Sequence, residues 1–198
     1  MSHPYILVLY FSRYGSTEKL AQLIGRGVEV SGKFEARIRS VPSVSPDPRA
    51  VAPPIPESGA IFCSQEDLMY CSGLALGSPT RFGNMSASLK YFIDNTGAIW
   101  ASGDLINKPF VTFTSSNSLH GGQESTLLTM AIPMLHHGMI YCGIPYSEPS
   151  INKTESGGSP YGATHFAGTE NGAEISEDET NSCLALGKRL AFLSEKIC

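Results

Sequence analysis

Three short stretches carry the residue types that could do chemistry, and each follows an apolar run. The first is SRYGST, Ser12 to Thr17. It sets four hydroxyls (Ser12, Tyr14, Ser16, Thr17), the guanidinium of Arg13 and the small Gly15 at the start of an amphipathic segment. A helix beginning there presents unpaired N–H groups and the positive end of its dipole, which together attract an anion. What the loop lacks narrows the chemistry. There is no G-x-x-x-x-G-K-[ST], so a P-loop nucleotidase is not supported, and no G-x-G-x-x-G, so the usual dinucleotide fingerprint is missing. The loop holds no cysteine, which excludes a thiol phosphatase. Such a hydroxyl-rich cradle suits a phosphate monoester that is bound and not cleaved. The plainer alternative is that Ser16 or Thr17 only caps the helix.

The second stretch is SPTRFGN, Ser78 to Asn84, in which Pro79 fixes φ while Gly77 and Gly83 allow close backbone approach. An ordinary strand-to-helix turn accounts for the glycines and the proline. It does not account for Thr80, Arg81 and Phe82 presenting hydroxyl, guanidinium and ring side by side. The third is TSSNSLHGGQE, Thr114 to Glu124, where Gly121 and Gly122 leave N–H groups bare for the polar edge of a heterocycle. One phosphate cradle and two loops suited to a planar ring describe a mononucleotide. A phosphate loop directly after the first strand suits FMN in a flavodoxin-type sheet.

The elements that must position these loops are legible as runs. Tyr5 to Phe11, Gly73 to Leu76, Phe110 to Phe113 and Met139 to Cys142 are continuously apolar, as parallel strands covered on both faces require. Phe34 to Arg39 alternates, which puts it at or near a sheet edge. Between them lie helical patterns: one from Thr17 with Ser16 or Thr17 as N-cap, one after Ser86 with Gly97 as a stop, one from Gln123 to His137 that Pro133 must kink or interrupt, and one from Glu177 to Lys196. This alternation predicts a doubly wound α/β sheet in a single domain spanning residues 1–198. Three segments are left as loops: the proline-dense 40–58, the excursion from Trp100 to Lys108, and the Gly/Ser/Thr-rich 144–176. The last is long enough to act as a lid near the active site or as a subunit contact.

Composition removes several classes of function. A chain of 198 residues, 41% hydrophobic and 16% charged, can bury a sizeable core, and a net charge of −4 with scattered Lys and Arg gives no nucleic-acid footprint. Cys63, Cys71, Cys142, Cys183 and Cys198 are odd in number with no C-x-x-C, which indicates reduced thiols and neither a disulfide frame nor a metal site. The apolar run YILVLYF is too short to span a bilayer or serve as a signal, so membrane insertion is not expected and a cytoplasmic protein is.

SRYGST, GSPTRFGNMSASLKYFIDNTGAIWASGDL, SLHGGQEST, HHGM and GGSPYGATHFAG together resemble the tryptophan-repressor-binding-protein (WrbA-type) family of FMN-dependent NAD(P)H:quinone oxidoreductases, over nearly the whole chain. The resemblance implies a flavodoxin-like fold with a five-stranded parallel sheet and helices on both faces, a homotetramer, and two-electron, ping-pong reduction of a quinone by NADH or NADPH with hydride transfer through FMN. It puts the FMN phosphate on Ser12, Arg13, Tyr14, Gly15, Ser16 and Thr17. The ring falls to Thr80, Arg81 and Phe82 and to Ser115, Ser116, Asn117, Ser118, Leu119, His120 and Gly121, in a loop one residue longer than in some members. His137 stands beside the flavin as hydrogen-bond partner or proton donor to the quinone. Tyr14 also meets the nicotinamide nucleotide, Trp100 lines the substrate pocket, and His165 approaches the site if segment 144–176 folds over it. The competing reading is a flavodoxin-like electron carrier without a substrate pocket. Mild charge, Trp100, the His136–His137 pair and segment 144–176 favour the enzyme.

Overall fold

The computed structural model describes residues 3–47, 53 and 55–197. Residues 48–52 and 54 of the proline-dense segment, and Cys198, lie outside the described residues. The first apolar run forms β1 (Tyr5–Tyr10), buried at every position, and the first amphipathic segment forms α1 (Ser16–Glu29). Next come β2 (Glu35–Ser40), α2 (Gln65–Met69), β3 (Gly73–Pro79), α3 (Ala87–Asp94), α4 (Gly97–Ser102), β4 (Pro109–Ser116) and α5 (Gln123–His136). The chain closes with β5 (Ile140–Tyr141), α6 (Pro149–Lys153), β6 (Gly162–Phe166) and α7 (Glu177–Ile197).

The sheet order is β2-β1-β3-β4-β5 with every pairing parallel, and β6 also pairs β4. The fifth position is therefore shared. Pro109 and Phe110 of β4 face Ile140 and Tyr141, while Thr112 to Ser116 face Gly162 to Phe166. Segment 144–176 is not a loop throughout: it carries α6 and then returns β6 to the sheet. Alternate residues of β1 feed two cores: Leu7 and Leu9 pack with Leu89, Leu127 and Met130, and Ile6 and Val8 with Leu20, Ile24, Leu186 and Leu190. Burial on both faces explains the unbroken apolar runs.

Other expectations are revised. Gly97 begins α4 and does not stop a helix, so Trp100 sits on a helical turn. The helix through Pro133 is not cut short there, since α5 runs on to His136. Between β2 and β3 lies α2, whose N-cap Ser64 and Asp67 form a reciprocal capping box. The expected edge strand is one: β2 ends the sheet, with Arg37 and Arg39 sharing Asp67 at 3.3 and 3.0 Å and Arg37 lying 3.5 Å over the Tyr5 ring. Charge at an edge discourages pairing with another chain. Among the described residues no helix is long and apolar enough to cross a membrane.

Helices α1 and α7 cross where both are glycine. A Cβ on Gly187 would fall 2.2 Å from the Ile24 carbonyl oxygen, and one on Gly27 would fall 2.4 Å from that of Leu184. In a free helix Gly→Ala gains up to about 1 kcal/mol. Here the clash is with backbone, and overpacking of about 1–3 kcal/mol outweighs that gain. Gly187→Ala is therefore expected to lower Tm by several degrees, at roughly 2–4 °C per kcal/mol for a chain this size. A thermal melt in which Tm rises would show the crossing to be loose.

Candidate functional site

All three loops emerge at the carboxyl edge of the sheet, where open α/β folds bind ligands. Gly15, not Ser16 or Thr17, is the N-cap of α1. Its φ of +90° suits glycine, its N–H donates to Ser12 Oγ at 3.1 Å, and no side chain caps the helix. The leading N–H groups of a fourteen-residue helix are thereby left without a side-chain acceptor, the arrangement that suits a bound phosphate. Thr17 instead turns inward and shares a 2.9 Å hydrogen bond with Ser115 Oγ, tying the first loop to the third.

In the second loop, Arg81 and Asn84 exchange backbone hydrogen bonds of 2.7 and 3.0 Å around Phe82 and Gly83, which have φ of +54° and +74°. Two successive positive φ values make this a primed two-residue turn. Holding an aromatic residue there costs about 1–3 kcal/mol, and the turn sends the Phe82 ring wholly into solvent. Thr80 joins the loops: its N–H donates to the Ser115 carbonyl at 2.9 Å, and its hydroxyl meets Thr126 Oγ1 at 2.6 Å. The third loop reaches the second by backbone contact. Gly122, with φ of +92°, leaves so little room that a Cβ would fall 2.8 Å from the Gly83 Cα. The Gly121 N–H is not bare as expected. It donates to the Ser118 carbonyl at 3.2 Å, while Ser116 Oγ donates to the same oxygen at 2.7 Å.

These contacts enclose a cavity of about 270 Å³. From the first loop it takes Ser12, Arg13, Tyr14, Ser16 and Thr17, and from the second Thr80 and Arg81. Ser115, Ser116, Asn117, Ser118 and Gly121 line it from the third. Gly15 lies on a neighbouring cavity, and Phe82, Leu119 and His120 do not line this one. Asn171, which the sequence reading missed, closes the wall from beyond β6, in a left-handed conformation with φ of +56°. The Asn171-Gly172 pair was the available signal.

His137 and Trp100 belong elsewhere in the chain. Both line a groove of about 550 Å³ between α3, α4 and α5, which shares no lining residue with the cavity. His137 is buried at the end of α5 with Nε2 at 2.9 Å from Thr96 Oγ1. The Thr96 hydroxyl spends its proton on the Ile93 carbonyl at 2.7 Å, so the imidazole supplies the other hydrogen from Nε2. Nδ1 then carries a lone pair, buried and without a partner among the described residues. Burial, and next the adjacent His136, lower the His137 pKa, so the ring is neutral near pH 7. Trp100 donates from Nε1 to the His136 carbonyl at 3.0 Å while its ring stays exposed.

His165 does not approach the cavity. It is buried in β6 with Nδ1 donating to Glu179 Oε2 at 2.9 Å. Glu179 also accepts from the backbone N–H groups of Gly157, Phe166 and Ser176, at 2.8, 2.9 and 2.8 Å. Burial alone would raise its pKa. Hydrogen bonds from His165, Phe166 and Ser176 outweigh that and bring it down to about 2. This carboxylate fastens segment 157–176, and with it the Asn171 wall, to the start of α7.

A parallel sheet in the order 2-1-3-4-5, with an uncapped helix after its first strand and two more loops converging on that helix end, defines a flavodoxin-like nucleotide-binding protein. Solved structures agree on the fold: a WrbA-like flavodoxin from Agrobacterium tumefaciens superposes with a TM-score of 0.68 at 22% identity, covering 98% of this chain and 99% of that one. A flavodoxin from the domain Archaea gives 0.60 at 18%, covering 96% and 99%. The chain belongs to the NADPH-dependent FMN reductase family, whose model matches residues 5–148. It is 38% identical over 196 residues to an NAD(P)H dehydrogenase (quinone) of Chromohalobacter salexigens, covering 97% of this chain and 98% of the relative. Identity to a protein of the same name from Geotalea daltonii is 37% over 199 residues, covering 97% of each.

Proposed function

We propose that this chain is an FMN-dependent NAD(P)H:quinone oxidoreductase that works as a homotetramer in the cytoplasm. The observation that carries the reading is the uncapped α1 N-terminus facing a polar cavity, lined by serines, Thr80 and Arg81. Full-length relatives bearing the NAD(P)H dehydrogenase (quinone) name support it. FMN fits that donor set: Ser12, Ser16, Thr17 and the first N–H groups of α1 hold its phosphate, while Thr80, Arg81 and residues 115–118 meet the polar edge of its ring. Bound there, FMN supplies two-electron chemistry, taking a hydride from the nicotinamide donor and passing it to the quinone.

Oligomerisation answers the separation of the cavity from the His137 groove. Helices α3–α5 expose Tyr91, Trp100, Ile132 and Leu135, and the Phe82 ring of the 81–84 turn is exposed as well. Apolar side chains concentrated on one face mark an interaction surface. A second copy seated on it brings its His137 and Trp100 to the first copy's cavity, where Trp100 walls the quinone site and His137 governs the proton.

As a neutral ring hydrogen-bonded through Nε2, His137 offers an acceptor at Nδ1; giving a proton to the quinone oxygen requires the imidazolium. Because its pKa is lowered, that form declines about tenfold per pH unit through the neutral range. Turnover is accordingly expected to rise as pH falls from 8 toward 6, and His137→Ala to lose that acid limb while keeping its FMN spectrum. A flat wild-type profile would exclude His137 as the donor. The decisive experiment for the reading itself is steady-state oxidation of NADH or NADPH with benzoquinone by FMN-loaded protein. Yellow protein without turnover would leave the electron-carrier reading in its place.

A further inference from the structure

A second cavity, of about 590 Å³, shares Ser12, Arg13 and Arg81 with the first and extends from them to Ser43, Ser86 and Ser88. Its lining is electrostatically one-sided. Arg13 and Arg81 are its charged side chains, and neither has a carboxylate within ion-pair distance among the described residues. Elsewhere Arg37 and Arg39 share Asp67, Lys33 pairs with Glu195 and Lys90 with Asp94. Arg81 gives Nη1 to the Thr80 carbonyl at 2.7 Å and keeps its remaining donors.

The serines add to the same sign. Ser12 Oγ accepts from the Gly15 N–H at 3.1 Å, Ser86 Oγ from the Leu89 N–H at 3.4 Å and Ser88 Oγ from the Val44 N–H at 3.1 Å. Each acceptor role leaves the hydroxyl proton to be donated, and none of the three donates to a described residue. Ser86 and Ser88 are more than nine-tenths buried and line the cavity. A buried donor without an acceptor is costly, and two guanidiniums beside several such donors are matched by a group that accepts many hydrogen bonds and carries two negative charges.

We propose that this cavity is the diphosphate subsite for the nicotinamide donor, with Arg13 and Arg81 bridging the two phosphates. The proposal rests on the oxidoreductase reading, since the shared wall lets one molecule reach the flavin cavity with its nicotinamide while its diphosphate lies between the arginines. Arg81 then contacts both molecules, which couples donor binding to flavin binding.

The test uses ADP-ribose, which has the diphosphate and lacks the nicotinamide, titrated calorimetrically into FMN-saturated protein. Wild type is expected to bind it, and Arg13→Gln to weaken binding about tenfold or more, the scale of one charge-assisted hydrogen bond. Ser88→Ala should weaken it several-fold, while Arg26→Gln, on the outer face of α1, leaves it unchanged. FMN occupancy is read from the visible spectrum of each variant. No binding of ADP-ribose, or equal losses in Arg13→Gln and Arg26→Gln, would overturn the subsite. Binding of inorganic diphosphate that leaves the KM for NADH unchanged would overturn its assignment to the donor. Specific ADP-ribose binding without benzoquinone turnover would instead sink the oxidoreductase reading and leave the diphosphate site standing.

Discussion

Glu179→Ala is expected to cost about 3–5 kcal/mol, the scale reached when several hydrogen-bond donors lose a shared acceptor at once. A domain of this kind has about 5–15 kcal/mol to lose. The carboxylate accepts three backbone N–H groups and His165 Nδ1, so its removal leaves four donors without their acceptor, those of Gly157 and His165 buried and those of Phe166 and Ser176 half-buried. Glu179→Gln keeps the volume but offers a single acceptor oxygen, and is expected to recover less than half of the loss. A urea titration measures both. The pH dependence has a definite sign. The folded pKa of about 2 lies below the ordinary 4.5, so this stabilisation is complete above pH 4.5 and is lost as pH falls toward 2. The difference is worth about 3 kcal/mol. Wild type should therefore lose stability steeply below pH 4.5, and Glu179→Gln should show a shallower decline. An alanine variant with an unchanged urea midpoint would show that Glu179 fastens nothing.

Gly122→Ala is expected to act on the flavin. The left-handed conformation costs a side-chain-bearing residue about 1–2 kcal/mol, and the 2.8 Å approach to the Gly83 Cα adds an overpacking cost of about 1–3 kcal/mol. Both are relieved if the second and third loops part, and those loops carry few core side chains. The cost therefore falls on ligand binding: FMN should bind at least about thirtyfold more weakly, corresponding to about 2 kcal/mol, with the melting temperature of the FMN-free protein nearly unchanged. Titration of FMN fluorescence against a melt separates the two. A drop in Tm with unchanged FMN affinity would mean that the glycine contact serves the fold alone.

The sheet was legible because burial on both faces writes itself as unbroken apolar runs, and β1 is the clearest case. The three loops were legible for the same reason, since each follows such a run. The rest depended on contacts the sequence does not display. Ser16 and Thr17 are both good caps by type, yet the backbone turns at Gly15, and Thr17 faces Ser115 from ninety-eight positions away. Strand β6 reads GATHF, too small and polar to resemble its neighbours, and its place is set by pairing with β4. Glu179 looks like one more acid in the first turn of a surface helix; only the return of β6 buries it. The separation of His137 from the three loops follows from the path of α5, which carries its ends to different neighbours.

The divided fifth strand position has a consequence for how such proteins diversify. The family model spans residues 5–148 and so includes the three loops, while the full-length relatives match through β6, Asn171 and the Glu179 fastening as well. One wall of the cavity is supplied by Asn171, from a segment joined to the rest of the sheet through β4 and fastened to α7. Exchanging residues 142–176 between relatives is expected to change that wall while leaving the Ser12–Thr17 loop and the start of α1 in place.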